Sequence, residues 1–582
     1  MTIGSPRRVG LARFEALARS DLVVLLGLLV LAALLRLPDL ATRGTWDADQ
    51  GHDMLVLRSL VRDGVIPLLG PPTSIGDVHH GALYYFLLAP AAALTGGDSP
   101  LAVVALIALA GIAAVGVTWW LAGSIAGPVA GLVAGLAMAI SPAAVDESTF
   151  IWNPNLIALS SAIALAGAWR AWTTRRPAWW LVAAVGTAVT MQCHVLGVTL
   201  LPIVGSLLIA DVRRREALSE RRAVTRAGLA SVAIVALSFL PLVIHELTTN
   251  FSEVQAALAW LRAGGDQASF AAPVRFLVIA IRVLSWPLIG LVTAGPAAAI
   301  VAIVALFALT TWRLAAARGD ERTTVRWLAL GLGWTAVALT FISPSLATVV
   351  QGLPNDHYHA FADPMVFVLT GVGGAALWRL GWARGAGPAV TGPLAPGRLV
   401  TIVGVIALVG WAAVHQAPAV AADGGFPVAD AAAARIQAAA GPGPIRIRSL
   451  PVFKSAEAYA YPLIRAGSTV DLATPSNDAP AQTLVVICDS LFETAIGLPC
   501  GGPAEMLLAP FEDYGPPVDR FEAAPGRTIS VYRATVLAEH DRNANAGVVD
   551  AGVRNAPKTR AGRTDPDRGV SLVAAPLGGR GS

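Results

Sequence analysis

The chain is long, strongly apolar and weakly charged. Of its 582 residues, 55% are hydrophobic and 14% charged, with a mean hydropathy of +0.63 and a formal net charge of +4. Soluble domains carry about 25% charged residues, so the composition excludes a soluble globular protein, and we expect no nucleic-acid partner. It predicts a multi-pass protein of the cell membrane, because a helix needs roughly 20 mostly apolar residues to cross the bilayer.

The order of apolar stretches and arginine-rich loops predicts the membrane topology. Residues 1–20 carry four arginines and lack a small-residue cleavage site, which predicts a cytoplasmic N-terminus followed by a retained anchor. Arginine-rich loops are assigned to the cytoplasm in the same way. The acidic or neutral segments 40–99, 144–154, 246–273 and 344–360 are assigned to the outside. Eleven spans fit between them: 21–38, 100–121, 126–143, 155–169, 178–192, 195–210, 227–245, 296–313, 327–343, 361–379 and 399–415.

One further apolar stretch, residues 274–293, has the length of a span but is predicted to lie flat on the outer surface. Counting it as a span would put the arginine-rich loop near residue 318 outside, against the charge rule. Its two arginines, Arg275 and Arg282, suit a helix in the membrane interface.

An odd number of spans places everything after residue 415 outside. Short β-rich runs separated by Pro and Gly predict a small extracytoplasmic α/β domain over residues 420–538, and residues 539–582 have the composition of a disordered tail. A Cys488–Cys500 disulfide is expected in such a compartment, whereas Cys193 is expected to be buried. The fold class is therefore mainly α, a polytopic helical membrane protein with an added α/β domain.

With this topology, ionisable and aromatic side chains from five separate segments meet at the outer membrane face. The segments are GTWDADQGHD from Gly44, HHGALYY from His79, MQCH from Met191, HE from His245, and NDHYH from Asn355. Each residue alone has a structural interpretation: an aspartate can cap a helix, and tyrosines can anchor an aromatic belt. Their shared depth in the membrane favours a functional site.

Four of these segments, in this order, resemble GT-C glycosyltransferases of the protein-mannosyltransferase and lipid A aminoarabinose-transferase type (family 39). The resemblance rests on DADQGHDMLVL to YYFLLAP, MQCHVLGVTLLP, FLPLVIHELTTNF and NDHYHAFADP, and covers roughly residues 20–415. It implies a polyprenyl-phosphate sugar donor and a large first outer loop that carries a catalytic acid. Family members often have Asp-Glu in this loop. Here the match is Asp49-Gln50, so both Asp47 and Asp49 stay candidates for the base.

Such a transfer is a single inverting displacement at the anomeric carbon. A carboxylate accepts the proton of the acceptor hydroxyl, and the phosphate of the leaving polyprenyl phosphate needs cations and hydrogen-bond donors. We expect Asp49 to be the base, with Asp47 in reserve or positioning it. The candidate substrate-binding residues are Arg58, His79, His80, Tyr84, His194, Glu246, Arg275, Arg282, His357, Tyr358 and His359.

Several alternatives stay open at this stage. The acceptor is an extracytoplasmic hydroxyl of a protein, a lipid or a cell-envelope glycan. The spacing of Asp47 and Asp49, with His79 and His80, permits a divalent metal. A lipid-linked sugar transporter or flippase, or an envelope polysaccharide ligase or polymerase, are the other function classes, although paired repeats with ionisable groups at the bilayer midplane are not evident.

Overall fold

The structure is a computed structural model. It covers residues 19–73, 78–265, 270–290, 295–348, 358–380, 395–441, 443–451, 456–472, 481–490 and 499–535. The predicted tail, 539–582, and the predicted site residue His357 lie outside these residues.

Most of the described chain is a bundle of apolar helices. Its helices are α1 (Arg19–Arg36), α4 (Pro100–Ala126), α5 (Pro128–Ile140), α6 (Pro142–Asp146), α7 (Ile157–Thr174), α8 (Trp179–Cys193), α9 (Leu200–Arg213), α10 (Leu218–Ser238), α11 (Leu240–Thr248), α12 (Ser252–Arg262), α13 (Ala272–Ile289), α14 (Pro296–Ala316), α15 (Gly319–Ile342), α16 (Asp363–Arg379) and α17 (Pro396–His415). Helix α4 shows why the breaks fall where they do. Pro100 supplies a first residue with preset φ, and Gly127 takes a φ of 88° at the end of the helix.

Within the described residues, eight helices are long and apolar enough to cross a membrane, and the pair α10 and α11, bent by 47°, would be a ninth. Seven of the eight correspond to predicted spans; the eighth is α13. The remaining predicted spans fall on α1, which carries charges at its ends, and on the shorter apolar helices α5 and α8. The predicted polytopic helical fold is confirmed, while the number of spans stays a prediction.

The helix α13 passes the length and hydropathy test for a span, yet its contacts join it to the ends of other helices. Arg282 donates to the carbonyl oxygen of Leu346, just beyond the end of α15, at 2.6 Å. The carbonyl of Ile289 accepts from Trp411, near the end of α17, at 2.7 Å. We call this end of the bundle, at which α17 ends and the C-terminal domain begins, the domain face. The flat placement of this helix on the outer surface stays a prediction.

A buried arginine, Arg36, holds the start of the first loop, residues 40–99, at the domain face. Arg36, at the end of α1, is fully buried and donates to the carbonyls of Ala139 at 2.8 Å and Met138 at 3.2 Å, at the end of α5. Its Nε donates to Ser148. Backbone carbonyls thus satisfy this guanidinium, and they fix the point from which the loop starts.

The first loop contains two helices and a small hairpin. Helix α2 (Ala48–Arg58) runs on into a π-helical turn, Ser59–Asp63. Strands β1 (Leu69–Pro72) and β2 (His79–Gly81) pair antiparallel, and helix α3 (Leu83–Ala93) follows. The hairpin therefore leads directly from α2 to α3 and places the His79–His80 strand between them.

The C-terminal domain is built on a five-stranded sheet of order β4-β3-β5-β7-β6. Its elements are α18 (Gly425–Ala440), β3 (Ile445–Leu450), α19 (Ala456–Arg465), β4 (Val470–Asp471), β5 (Thr483–Asp489), α20 (Pro503–Leu508), α21 (Phe511–Tyr514), β6 (Asp519–Ala524) and β7 (Arg527–Arg533). Strand β5 is buried along its whole length, as its continuous apolar run indicates. Cys488 and Cys500 form a disulfide, and Cys193 is buried.

Candidate active site

Helix α2 carries both aspartates of the predicted acidic pair, and they differ in environment. Asp47 precedes the helix as its N-cap, and its backbone amide donates to the side chain of Gln50 at 2.8 Å, as in a capping box. Asp49 lies in the first turn with an exposed side chain. Asp53, four residues later and on the same helix face, is 2% exposed.

Asp53 joins α2 to α3. Its carboxylate accepts hydrogen bonds from Tyr84 at 2.7 Å and Tyr85 at 2.9 Å, and both tyrosines are buried. Burial raises the pKa of Asp53 to about 7, although the charge of His52 and the two tyrosine hydroxyls oppose the shift. Tyr84, predicted to bind sugar or phosphate, thus holds the carboxylate that fixes the angle between the two helices of the first loop.

Asp47 pairs with a residue of the C-terminal domain. Its Oδ1 lies 3.1 Å from Nη2 of Arg527, which also lies 3.1 Å from Oδ2 of Asp489. Arg527 is 7% exposed. Burial alone would lower its pKa, but the charges of Asp47, Tyr459 and Asp489 outweigh burial and raise it, so a permanent cation faces the N-terminal turn of α2.

His52 forms a second pair with the same domain. Its Nδ1 lies 3.0 Å from both carboxylate oxygens of Glu457, in α19. Burial lowers the pKa of His52, but the hydrogen bond and charge of Glu457, with the charges of Asp53 and Asp49, outweigh it and raise the pKa. The imidazolium form is therefore favoured in the folded protein.

The His52–Glu457 pair makes stability depend on pH. A histidine with a raised pKa contributes its full stabilisation below its ordinary pKa of about 6.5 and loses it as the pH rises through the raised value. Glu457→Gln should therefore cost about 0.2–1 kcal/mol at pH 5.5, as for other partly exposed pairs, and almost nothing at pH 9. Thermal unfolding of the detergent-solubilised protein at both pH values measures the difference.

A matched control is Asp519→Asn, which removes the partner of Arg435 in an exposed pair at 2.7 Å. Arginine stays charged across this range, so the cost of that substitution should be the same at pH 5.5 and pH 9. An equal cost of Glu457→Gln at both pH values would contradict the assignment of a titrating His52.

His80 and His194 lie against each other as neutral imidazoles. Their ring centroids are 4.7 Å apart, and each side chain is 6% exposed. The Nδ1 of His80 accepts from the amide of Val195, and the Nδ1 of His194 accepts from the amide of Leu196, both at 3.2 Å. An accepting Nδ1 places the proton of a neutral ring on Nε2, and burial lowers the pKa of His80 to about 3.

The two Nε2 atoms have no hydrogen-bond partner among the residues that the structure describes. The two Nδ1 atoms accept from the amides of neighbouring residues, Val195 and Leu196. The Nε2–H group of each ring can therefore donate to a ligand. Tyr358 stacks on His194 with a centroid distance of 4.5 Å. The predicted residues His80, His194 and Tyr358 are thus brought together.

His79 and Glu246 have supporting contacts around helix α12. His79 Nδ1 lies 3.0 Å from Oε1 of Glu253, and its backbone amide donates to Oε2 at 2.7 Å. Glu246 accepts from the amides of Glu253 at 2.9 Å and Val254 at 3.2 Å, at the N-terminal turn of α12. Both oxygens of Glu246 therefore stabilise a helix start, a role that the sequence did not predict for it.

The three arginines predicted to bind substrate lie in different parts of the structure. Arg58 pairs with Asp98 at 3.2 Å and lies nine residues along α2 from Asp49, about 13 Å at 1.5 Å per residue. Arg282 is buried and donates to the carbonyl oxygens of Leu346 and Thr348. Arg275 lies on α13, partly buried.

His359 lies in the segment before the tenth predicted span and is buried just before α16. Its ring meets the ring of Trp286 edge to face at 5.8 Å. It therefore connects α13 to the same segment that brings Tyr358 to His194.

An apolar cleft lies between the start of α2 and the start of α4. It has a volume of about 210 Å³ and reaches from Gln50 to the start of α4. Its lining includes Trp46, Leu101, Phe150 and Phe426. Its mostly apolar lining suits an apolar chain.

A metal site has no support in this geometry. Among the described residues, no three His, Cys, Asp or Glu side chains are grouped to hold a metal ion. Asp47, half of the Asp-x-Asp pattern, faces the guanidinium of Arg527 at 3.1 Å. A cation at that carboxylate does not fit a divalent metal beside it.

Comparison with known proteins gives a partial family match and a fold. Residues 79–245 match the family model described as dolichyl-phosphate-mannose-protein mannosyltransferase. The ArnT of Cupriavidus metallidurans, solved in the apo state, is 14% identical, with a TM-score of 0.54 over 89% of this chain and 98% of its own. The chain has the GT-C glycosyltransferase fold.

Two further solved structures are similar to this chain at lower TM-scores. ArnT of Cupriavidus metallidurans bound to undecaprenyl phosphate is 16% identical, with a TM-score of 0.45 and coverage of 89% of this chain and 98% of that one. AglB of Archaeoglobus fulgidus, in complex with an inhibitory peptide and a dolichol-phosphate, is 12% identical, with a TM-score of 0.49 and coverage of 91% and 75%. No curated protein matches the sequence.

Sequence reasoning missed the partners from the C-terminal domain. Arg527 and Glu457 lie 480 and 405 residues from their partners Asp47 and His52 in the chain. No local pattern marks either residue, because each stands in an ordinary strand or helix of the domain. For Asp53, the nearby tyrosine pair was visible in the sequence, but its role as a donor pair was not predicted.

Proposed function

We propose that the protein is a membrane glycosyltransferase that transfers a sugar, as a hexosyl or pentosyl group, from a polyprenyl-phosphate donor to an acceptor hydroxyl. The observation that carries the proposal is the exposed carboxylate of Asp49 in the first turn of α2. Asp47 faces Arg527, and Asp53 accepts from two tyrosines. The family match over residues 79–245, which names a dolichyl-phosphate sugar as donor, supports this class of substrate.

Asp49 acts as the base in this mechanism. The acceptor oxygen attacks the anomeric carbon while its proton passes to the Asp49 carboxylate. The bond between the anomeric carbon and the phosphate oxygen breaks, and its electron pair leaves with the polyprenyl phosphate. One displacement inverts the anomeric configuration, and no second carboxylate is needed, in contrast to glycoside hydrolysis.

The leaving phosphate is stabilised by donors rather than by the predicted arginines. His80 and His194, whose rings lie 4.7 Å apart, each have an Nε2–H group, and their Nδ1 atoms already accept from backbone amides. Preorganised donors of this kind stabilise developing negative charge without reorganising during the reaction. The apolar cleft beside Gln50 is suited to the first isoprene units of the donor.

Orientation in the membrane follows from charge and from the disulfide. Arginine-rich loops favour a cytoplasmic N-terminus, and a disulfide in the C-terminal domain favours an oxidising, extracytoplasmic compartment. We place the site at the outer face of the cell membrane, where it meets a lipid-linked donor and an extracytoplasmic acceptor.

The test is a transfer assay with the purified full-length chain in lipid vesicles. Polyprenyl-phosphate sugars with a radiolabelled sugar are supplied with envelope extracts as acceptor. We expect label to appear in the acceptor together with an equal amount of released polyprenyl phosphate. Movement of labelled donor across the vesicle membrane without transfer would contradict the proposal and indicate a flippase.

A further inference from the structure

We propose that the C-terminal domain is part of the catalytic unit, and that its Arg527 and Glu457 are positioning residues for the turn of α2 that carries Asp49. This inference rests on the proposed function, because it assigns the two residues a role in presenting the base. Neither residue touches the reacting atoms; each acts through a neighbour of Asp49.

The two ion pairs stand on either side of the base. Arg527 pairs with Asp47, two residues before Asp49, and Glu457 pairs with His52, three residues after it. Arg527 is itself held by Asp489, which lies at the end of the buried strand β5. Asp489 thus fixes Arg527 to the sheet, and the contact of Arg527 with Asp47 fixes the N-cap of α2 relative to that sheet.

Between the two pairs, the backbones are in direct contact. A Cβ placed on Gly51 would lie 2.1 Å from the carbonyl oxygen of Glu457 and 2.7 Å from the amide nitrogen of Ala458. Glycine is therefore the residue that allows α2 to approach α19 so closely. No side-chain adjustment on α19 can widen this contact, because both atoms belong to its backbone.

The residues that precede α2 are held by the same domain. The indole of Trp46 donates to the carbonyl of Ala458 at 2.8 Å. Oδ2 of Asp423 accepts from the hydroxyl of Thr45 at 2.6 Å and from the amide of Trp46 at 2.8 Å. Residues 45 to 52 are thus among the parts of the first loop that contact the C-terminal domain.

These contacts separate a positioning role from a passive cover. A domain that only covers the site needs contacts at its margin, whereas here two ion pairs and a close backbone approach fall on the turn that bears the base. A displacement of about 1 Å at a reacting group can cost about 100-fold in rate. Holding this turn is therefore sufficient to make turnover depend on the domain.

The test compares two arginines of the same domain. Arg527→Gln should lower kcat by about 10- to 100-fold with little change in KM for the polyprenyl-phosphate sugar. Arg527→Lys, which keeps the charge, should recover part of that loss. Arg435→Gln, which removes an exposed arginine paired with Asp519, should leave kcat unchanged.

A double-mutant cycle shows whether Arg527 acts through Asp47. If it does, the double variant Asp47→Asn, Arg527→Gln loses no more turnover than Arg527→Gln alone. Additive losses would overturn the inference, and so would wild-type kcat in Arg527→Gln.

Amide hydrogen exchange provides a readout that does not require activity. Exchange in residues 48–58 should be faster in Arg527→Gln than in the wild type and unchanged in Arg435→Gln. If the wild type transfers no sugar, the proposed function fails, and exchange still decides whether Arg527 holds α2. Unchanged exchange in Arg527→Gln would overturn the inference whatever the reaction is.

Discussion

Asp49→Asn is expected to lower kcat by roughly 10²–10⁴-fold, the contribution typical of a general base. Asparagine keeps the size of the side chain and its place in the first turn of α2, but it cannot accept the acceptor's proton. Because Asp49 is exposed and substitutions at exposed positions usually change stability by less than about 0.5 kcal/mol, the free energy of unfolding should change little. The measurement is single-turnover transfer with saturating donor, alongside donor binding.

The matched variant is Asp47→Asn. Asp47 faces Arg527 across 3.1 Å, so its loss should disturb the position of the helix start and lower turnover less than Asp49→Asn does. The reverse order would exchange the roles of the two aspartates. Normal transfer in both single variants and in the double variant would refute a base on α2 and remove the main support for the proposed reaction.

Gly51→Ala is expected to lower turnover by about 100-fold by separating α2 from α19. The added methyl group would meet the carbonyl oxygen of Glu457 at 2.1 Å and its carbonyl carbon at 2.3 Å, and backbone atoms cannot rotate away. Alanine is the better helix former by roughly 0.5–1 kcal/mol, whereas overpacking costs about 1–3 kcal/mol. We expect the steric cost to exceed the helix gain, with a net loss of stability on thermal unfolding.

Gly404→Ala provides the control for this change. Gly404 lies within α17, and a Cβ there would meet nothing within 4 Å, so stability and turnover should be kept or slightly raised. Both Gly51→Ala and Gly404→Ala insert one methyl group into a helix. Wild-type turnover in Gly51→Ala would therefore contradict the close contact between α2 and the C-terminal domain.

The sequence by itself determined the class of protein and most of its helices. Apolar runs such as Pro100–Ala126 have few conformations available in a bilayer other than a helix, since each backbone group needs a partner within the segment. The alternation in Ile445–Leu450 and the apolar run Thr483–Asp489 likewise predicted strands. These patterns are local, so they are readable without knowledge of what packs against them.

The sequence also located the residues of the candidate site, but their environments could not be derived from it. Asp47, Asp49 and Asp53 stand within seven residues, and nothing in that spacing tells which is exposed, which is buried and which is ion-paired. Similarly, the sequence made Glu246 a candidate for the substrate pocket, whereas its two carboxylate oxygens accept hydrogen bonds at the start of α12. Burial and partners depend on segments that are distant in the chain.

The tertiary structure alone decided the contacts between the first loop and the C-terminal domain. Arg527 and Glu457 reach α2 because the sheet and α19 are assembled over the domain face, an arrangement set by the packing of the whole fold. The tautomers of His80 and His194 also depend on it, since two backbone amides at one turn fix where each proton lies. Sequence specifies which side chains are present in this loop, and packing specifies which of its carboxylates is exposed, because the partners come from segments distant in the chain.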